Sequence, residues 1–144
     1  MKTFIMQYAL FVVIGALLVL ALTGNLFSSS PVVLAVQLLA VALSIWARAS
    51  FPTGSFRIDA TPSAQTVIRR GPYRWIRHPM YAAALTLIWA AVLSHVSFWV
   101  VALGIVVAVV VTLRILFEER FLRERYPDYV VYAQGTKAVI PYVL

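Results

Sequence analysis

The chain has 144 residues, 62% of them hydrophobic and 12% charged, and carries a net charge of +7. A mean hydropathy of +0.91 sets it apart from soluble domains, in which roughly half the residues are apolar, and the lack of cysteine excludes disulfides, thiolate metal sites and a catalytic thiol. In so apolar a chain the basic excess points to anionic lipid head groups or an anionic ligand rather than to nucleic acid.

Length predicts one domain over 1–144, and hydropathy predicts an all-α, polytopic membrane protein with four transmembrane helices. The first span, about 4–23, holds no charge and is long enough for a ~30 Å hydrocarbon core. It exceeds the roughly 7–15 residues of a signal h-region and no small-residue cleavage site follows, so it is expected to be retained. A turn from Gly24 to Pro31 leads into the second span, about 32–49. Trp46 and Arg48 close that span as interfacial residues do, and Gln37 inside it is expected to bond a neighbouring helix.

From Ser50 to Arg77 the chain is polar and broken by Pro52, Gly54, Pro62, Gly71 and Pro72; connections of this length are often functional. The third span, about 79–93, reaches only ~22 Å at ~1.5 Å per residue, so its start is expected below the head-group surface. Ser94-His95-Val96-Ser97 makes a tight turn into the fourth span, about 98–117, which continues as an interfacial segment from Glu118 to Arg125. His95 is expected to be a surface residue.

All twelve basic residues lie in Lys2, the stretch Arg48–Arg77 and the stretch Arg114–Lys137, while 24–31 and 94–97 contain none. The positive-inside rule therefore predicts both termini and the long loop in the cytoplasm. The five acids, Asp59, Glu118, Glu119, Glu124 and Asp128, fall on that side as well. A site built there takes the long loop, the start of the third span and the end of the fourth, with a cytoplasmic C-terminal helical segment beside them.

Two stretches carry the polar chemistry. In Gly71-Pro72-Tyr73-Arg74-Trp75-Ile76-Arg77-His78-Pro79-Met80-Tyr81, Pro79 pushes His78 out of helical dihedrals and suits the first helical position. The N–H groups of Met80 and Tyr81 then form an anion-binding helix N-terminus. Arg74 and Arg77 add charge, and Tyr73 and Tyr81 offer hydroxyls and ring faces suited to a cation. A plain juxtamembrane belt of Arg and aromatics has the same composition. In the second stretch, Arg114 and Glu118 share a helix face at i, i+4 while Glu119 points elsewhere. They form a simple ion pair, or Glu118 binds a cationic group while Arg114 presents its fork to an anionic substrate. No metal-ligand spacing, Ser/His/Asp set or Gly-rich phosphate loop is present.

Gly-Pro-Tyr-x-x-x-Arg-His-Pro-x-Tyr (Gly71 to Tyr81), followed by a hydrophobic hairpin and Arg-x-x-x-Glu-Glu-x-x-Leu (Arg114 to Leu122), resembles the isoprenylcysteine carboxyl methyltransferases and the related phospholipid methyltransferases. Tyr126-Pro-x-Tyr-x-x-Tyr132 and Ile140-Pro141 extend the likeness, which covers about 60–141. The resemblance implies methyl transfer from S-adenosyl-L-methionine to a lipid-like acceptor, with the acceptor entering from the bilayer and the cofactor from the cytoplasm. It implies cofactor contacts at Gln65, Thr66, Val67, Ile68, Tyr73, His78, Pro79, Met80, Tyr81 and Glu118, to which the residue reading adds Arg77. The substrate-side, catalytic residue is Arg114. Glu119 or His78 is the proton acceptor if the methyl acceptor is an amine; a carboxylate acceptor needs none. Ala83 stands where the family usually has Gly. Membrane sterol reductases, which use a nicotinamide, share a similar Arg-His-Pro-x-Tyr turn, and a non-enzymatic membrane subunit is the third reading. Acceptor identity and oligomeric state have no signature in the sequence.

Overall fold

The computed structural model describes residues 2–51 and 67–139, with side chains from Tyr8 onward. Among the described residues the chain is helical: α1 (Lys2–Leu22), α2 (Pro31–Ala49), a 3₁₀ turn (Gly71–Arg74), α3 (Pro79–Ser94), α4 (Phe98–Arg125) and α5 (Tyr129–Gly135). The four apolar segments expected from sequence are α1 to α4. Two of them, Pro31–Ala49 and Phe98–Arg125, are each long and apolar enough to cross a membrane, and Tyr8–Leu22 and Pro79–Ser94 are shorter apolar helices. The interfacial segment after Phe117 is no separate element. It continues α4 without a break to Arg125.

Helix α2 packs on α3, and α1 on α4. The core joins Val13, Ala16 and Leu20 of α1, Ile88, Ala91 and Val92 of α3, and Val100, Val107, Val111 and Ile115 of α4. Small residues let the backbones approach: a Cβ built on Gly104 would sit 2.8 Å from Val92 Cγ2. Leu38, Leu39 and Ile45 of α2 and Ile105, Val109 and Leu116 of α4 face outward and are exposed. Many exposed large apolar side chains of this kind suit lipid better than water.

Gln37 is fully buried and does not bond a neighbouring helix as expected. Its amide donates to the Leu26 carbonyl at 2.6 Å, and its carbonyl faces the Ser28 N–H at 3.4 Å. It satisfies the backbone of the loop leading into its own helix.

The α3–α4 hairpin has only His95, Val96 and Ser97 between its helices, which places the first turn of α3 beside the last membrane turn of α4. His95 lies in this turn, partly exposed, with its Nδ1 3.3 Å from the Ala91 carbonyl at the C-terminus of α3.

Candidate functional site

The turn leading into α3 is held from two sides. Gly71 has φ +60° and sits so close to α2 that a Cβ would overlap Ser50 Oγ at 2.0 Å; only glycine meets both demands at low cost. Arg70 Nε donates to the Ser50 carbonyl at 2.7 Å, and Trp75 packs on Trp46 with centroids 6.2 Å apart. On the opposite side, residues 137 and 138 pair with the turn as a short parallel bridge. The Arg77 N–H donates to the Lys137 carbonyl at 2.7 Å, the His78 N–H to the Ala138 carbonyl at 2.9 Å, and the Lys137 N–H to the Trp75 carbonyl at 3.0 Å.

His78 stands at the N-cap of α3 with φ −122° and Pro79 at the first helical position, and no side chain caps the helix. The first intrahelical bond is from the Ala82 N–H to the His78 carbonyl at 3.0 Å. The Met80 and Tyr81 N–H groups therefore have no acceptor within the helix.

Against this N-terminus lies the end of the apolar part of α4. The Tyr81 hydroxyl donates to Glu118 Oε1 at 2.5 Å, and Arg114 Nε donates to the same oxygen at 3.0 Å. The Arg114 guanidinium lies 5.5 Å from the Tyr81 ring centroid, and the His78 ring stacks on Tyr81 at 5.6 Å with planes inclined by 21°. His78 Nδ1 is 3.5 Å from Glu118 Oε2, and its Nε2 is 3.3 Å from Glu119 Oε1. Glu119 also accepts from Arg77 Nε at 2.6 Å, Tyr129 at 3.2 Å and Arg123 at 3.3 Å. A second nitrogen of Arg77 donates to the Ala133 carbonyl at 2.9 Å and to the Thr136 carbonyl.

Burial opposes ionisation of Glu118, but the His78, Tyr81 and Arg114 contacts outweigh it and hold the carboxyl below its ordinary range. Glu119 is likewise penalised by burial, and the His78 and Arg77 contacts bring it down to about 2. Burial works against a charged His78, yet the two carboxylates raise its pKa. Burial pushes the Tyr132 hydroxyl up to about 12 and raises Tyr73 and Tyr129 as well.

Of the residues singled out from sequence, Arg77, His78, Tyr81, Arg114, Glu118 and Glu119 meet in one buried cluster, with Pro79 and Met80 supplying the helix start beside it. Tyr73 is buried with its ring edge-on to Phe51 at 5.5 Å. Val67 packs instead on Tyr126, Tyr129 and Tyr132, and Ile68 is half-buried in the same strand of chain. Gln65 and Thr66 lie outside the described residues. Two expectations change in detail. Arg77 faces Glu119 and the carbonyls of the C-terminal segment rather than an open anion site, and the Tyr81 ring already carries His78 and Arg114. Tyr129 and the bridge at residues 137 and 138 are contributions that sequence reasoning did not assign. A buried tyrosine needs a partner for its hydroxyl, which was the available signal for Tyr129; backbone pairing leaves no signature in side chains.

The donor set fits an amino-acid head group: two N–H groups at a helix start, without an acceptor inside the helix, for a carboxylate, and an ionised carboxylate nearby for an ammonium. A model of the phospholipid methyltransferase family matches residues 27–129, from before α2 to the first residue of α5. No curated protein and no solved structure gives a match. The matched region contains both polar stretches and the hairpin that brings them together, and on that ground the chain belongs to the phospholipid methyltransferase family of membrane methyltransferases.

Proposed function

We propose that the protein is a multi-pass membrane methyltransferase that uses S-adenosyl-L-methionine and acts on a lipid-like acceptor drawn from the bilayer, an isoprenylcysteine-type carboxylate or a lipid amine. The observation that carries this reading is that the first turn of α3 is joined to the Glu118 carboxylate on α4 through the Tyr81 hydroxyl, at 2.5 Å. In this reading α1 to α4 all span, with both termini and the polar cluster on the cytoplasmic side, in keeping with the distribution of basic residues. Helix α3, at sixteen residues, covers ~24 Å, so its N-terminus lies below the head-group level, within reach of an acceptor that stays in the membrane.

Bound S-adenosyl-L-methionine supplies a methyl group already activated on a sulfonium, so alignment carries most of the rate. The start of α3 takes the methionyl carboxylate and Glu118 the ammonium. Tyr81 and Arg114 hold Glu118 in place through its Oε1. Arg114, 5% exposed and beside Tyr81 and Glu118, orients the acceptor, since a guanidinium suits a carboxylate or phosphate. Glu119 is bound by three donors besides His78 and has a pKa of about 2, which makes it a poor proton acceptor near neutrality. Family membership supports methyl transfer over nicotinamide reduction or a purely structural role.

Purified protein in lipid vesicles, given S-adenosyl-L-methionine carrying a labelled methyl group and a lipid extract, should transfer label into the organic phase, and Arg114→Ala should not. Label that stays in the aqueous phase with every lipid fraction would remove the acceptor class from this reading.

A further inference from the structure

His78 has a carboxylate against each ring nitrogen. Nδ1 lies 3.5 Å from Glu118 and Nε2 lies 3.3 Å from Glu119, and the side chain is 5% exposed. A neutral imidazole has one N–H and one lone pair, so a neutral His78 would direct its lone pair at a carboxylate oxygen. A proton on either glutamate would relieve that repulsion, but the other contacts of both acids speak against it. Glu118 accepts from Tyr81 and Arg114, and Glu119 accepts from Arg77, Tyr129 and Arg123. Both acids are thus acceptors at every other contact.

The remaining surroundings leave the same balance. From α3 the Tyr81 ring stacks on His78, and beneath it the Ala138 carbonyl takes its backbone N–H. The cations near it, Arg77 and Arg114, are each bonded to one of the two carboxylates, so their repulsion of a third cation is offset.

We propose that His78 is held as a doubly protonated imidazolium clamped between Glu118 and Glu119, a positioning residue that fixes the two carboxylates and does not serve as the base. The clamp explains why the His-Pro turn and the paired glutamates occur together: one ring, with a donor on each side, sets the spacing of adjacent carboxylates that leave α4 in different directions. It also removes His78 from the candidate bases, so an amine acceptor does not lose its proton to this ring. The positioning role rests on the reading of Glu118 as the group that holds the cofactor; the charge state of His78 does not.

The chain has two histidines, so His95→Gln leaves His78 as the sole histidine without touching the cluster. Ring ¹⁵N shifts of this variant in nanodiscs should show both nitrogens protonated at about pH 8, well above the ordinary histidine pKa of about 6.5. Glu118→Gln and Glu119→Gln in the same background should each lower the titration midpoint by about one pH unit or more. A single neutral tautomer at neutral pH, or a midpoint that neither glutamate variant moves, would overturn the clamp. Should the glutamate variants fail to fold, the shifts of His95→Gln alone decide the charge state. A neutral ring with intact S-adenosylhomocysteine binding sinks the clamp alone, and a charged ring without that binding sinks the proposed cofactor alone.

Discussion

The hydroxyl of Tyr81 donates to Glu118 Oε1 at 2.5 Å, joining the first turn of α3 to the point where α4 leaves its apolar stretch. A phenolic O–H to an ionised carboxylate is among the stronger protein hydrogen bonds, worth about 1.5–3 kcal/mol. Tyr81→Phe keeps the ring against His78 and Arg114 and removes only that donor. S-adenosylhomocysteine affinity is expected to fall roughly tenfold, with the helical circular dichroism unchanged. Affinity equal to that of the unmodified protein would mean that Glu118 needs no help from Tyr81.

Arg114 and Glu118 are expected to separate in their kinetics. Glu118→Gln should weaken S-adenosylhomocysteine binding by about an order of magnitude or more, because a buried charge-assisted contact is lost. Arg114→Ala should abolish turnover and weaken that binding less, through the loosened Glu118 alone. Calorimetry on both variants beside a turnover assay checks the division; equal losses of binding would merge the two roles.

Arg77 ties three segments together, reaching Glu119 on α4 and the carbonyls of Ala133 and Thr136. Arg77→Ala leaves a buried carboxylate with one fewer cation and two carbonyls unpaired, a loss of about 3 kcal/mol. Amide exchange in α5 and at Lys137 should accelerate well before that of α3 and α4. Uniform acceleration throughout the chain would show that the C-terminal segment is not a separate unit.

Stability should peak between the ordinary carboxylate and histidine ranges. His78 has a raised folded pKa, so its contribution is complete below about 6.5 and is lost as pH rises through the folded value. Glu118 and Glu119 have lowered pKa values, so theirs is present above about 4.5 and is lost as pH falls. Thermal unfolding in detergent should show both declines, and His78→Asn should lack the alkaline one. An alkaline decline unchanged in that variant would assign it to another group.

The helices and the cluster differ in how far their residues announce them. Hydropathy marks α1 to α4 because each is an apolar run bounded by turn residues, although among the described residues only α2 and α4 are long and apolar enough to cross a membrane. The three-residue link between Ser94 and Phe98 brings His78 and Glu118 to the same end of the hairpin. The Pro79 signal holds because proline restricts the residue before it whatever the tertiary setting. Other features depend on contacts with no local pattern. Gln37 has the composition of an interhelical polar residue, and only the path of the preceding loop gives it Leu26 and Ser28 as partners. The backbone pairing of residues 137 and 138 with the turn uses peptide groups that every residue has. Glu119 has the sequence of a free acid beside Glu118, and the arrival of Arg77 and Tyr129 from distant segments is what makes it a structural anion.

The most direct measurement is calorimetric titration of the purified protein with S-adenosylhomocysteine, with NADPH as the comparison. The account predicts saturable one-site binding of S-adenosylhomocysteine, weakened by Glu118→Gln, and no binding of NADPH. Saturable heat with NADPH and none with S-adenosylhomocysteine would contradict it.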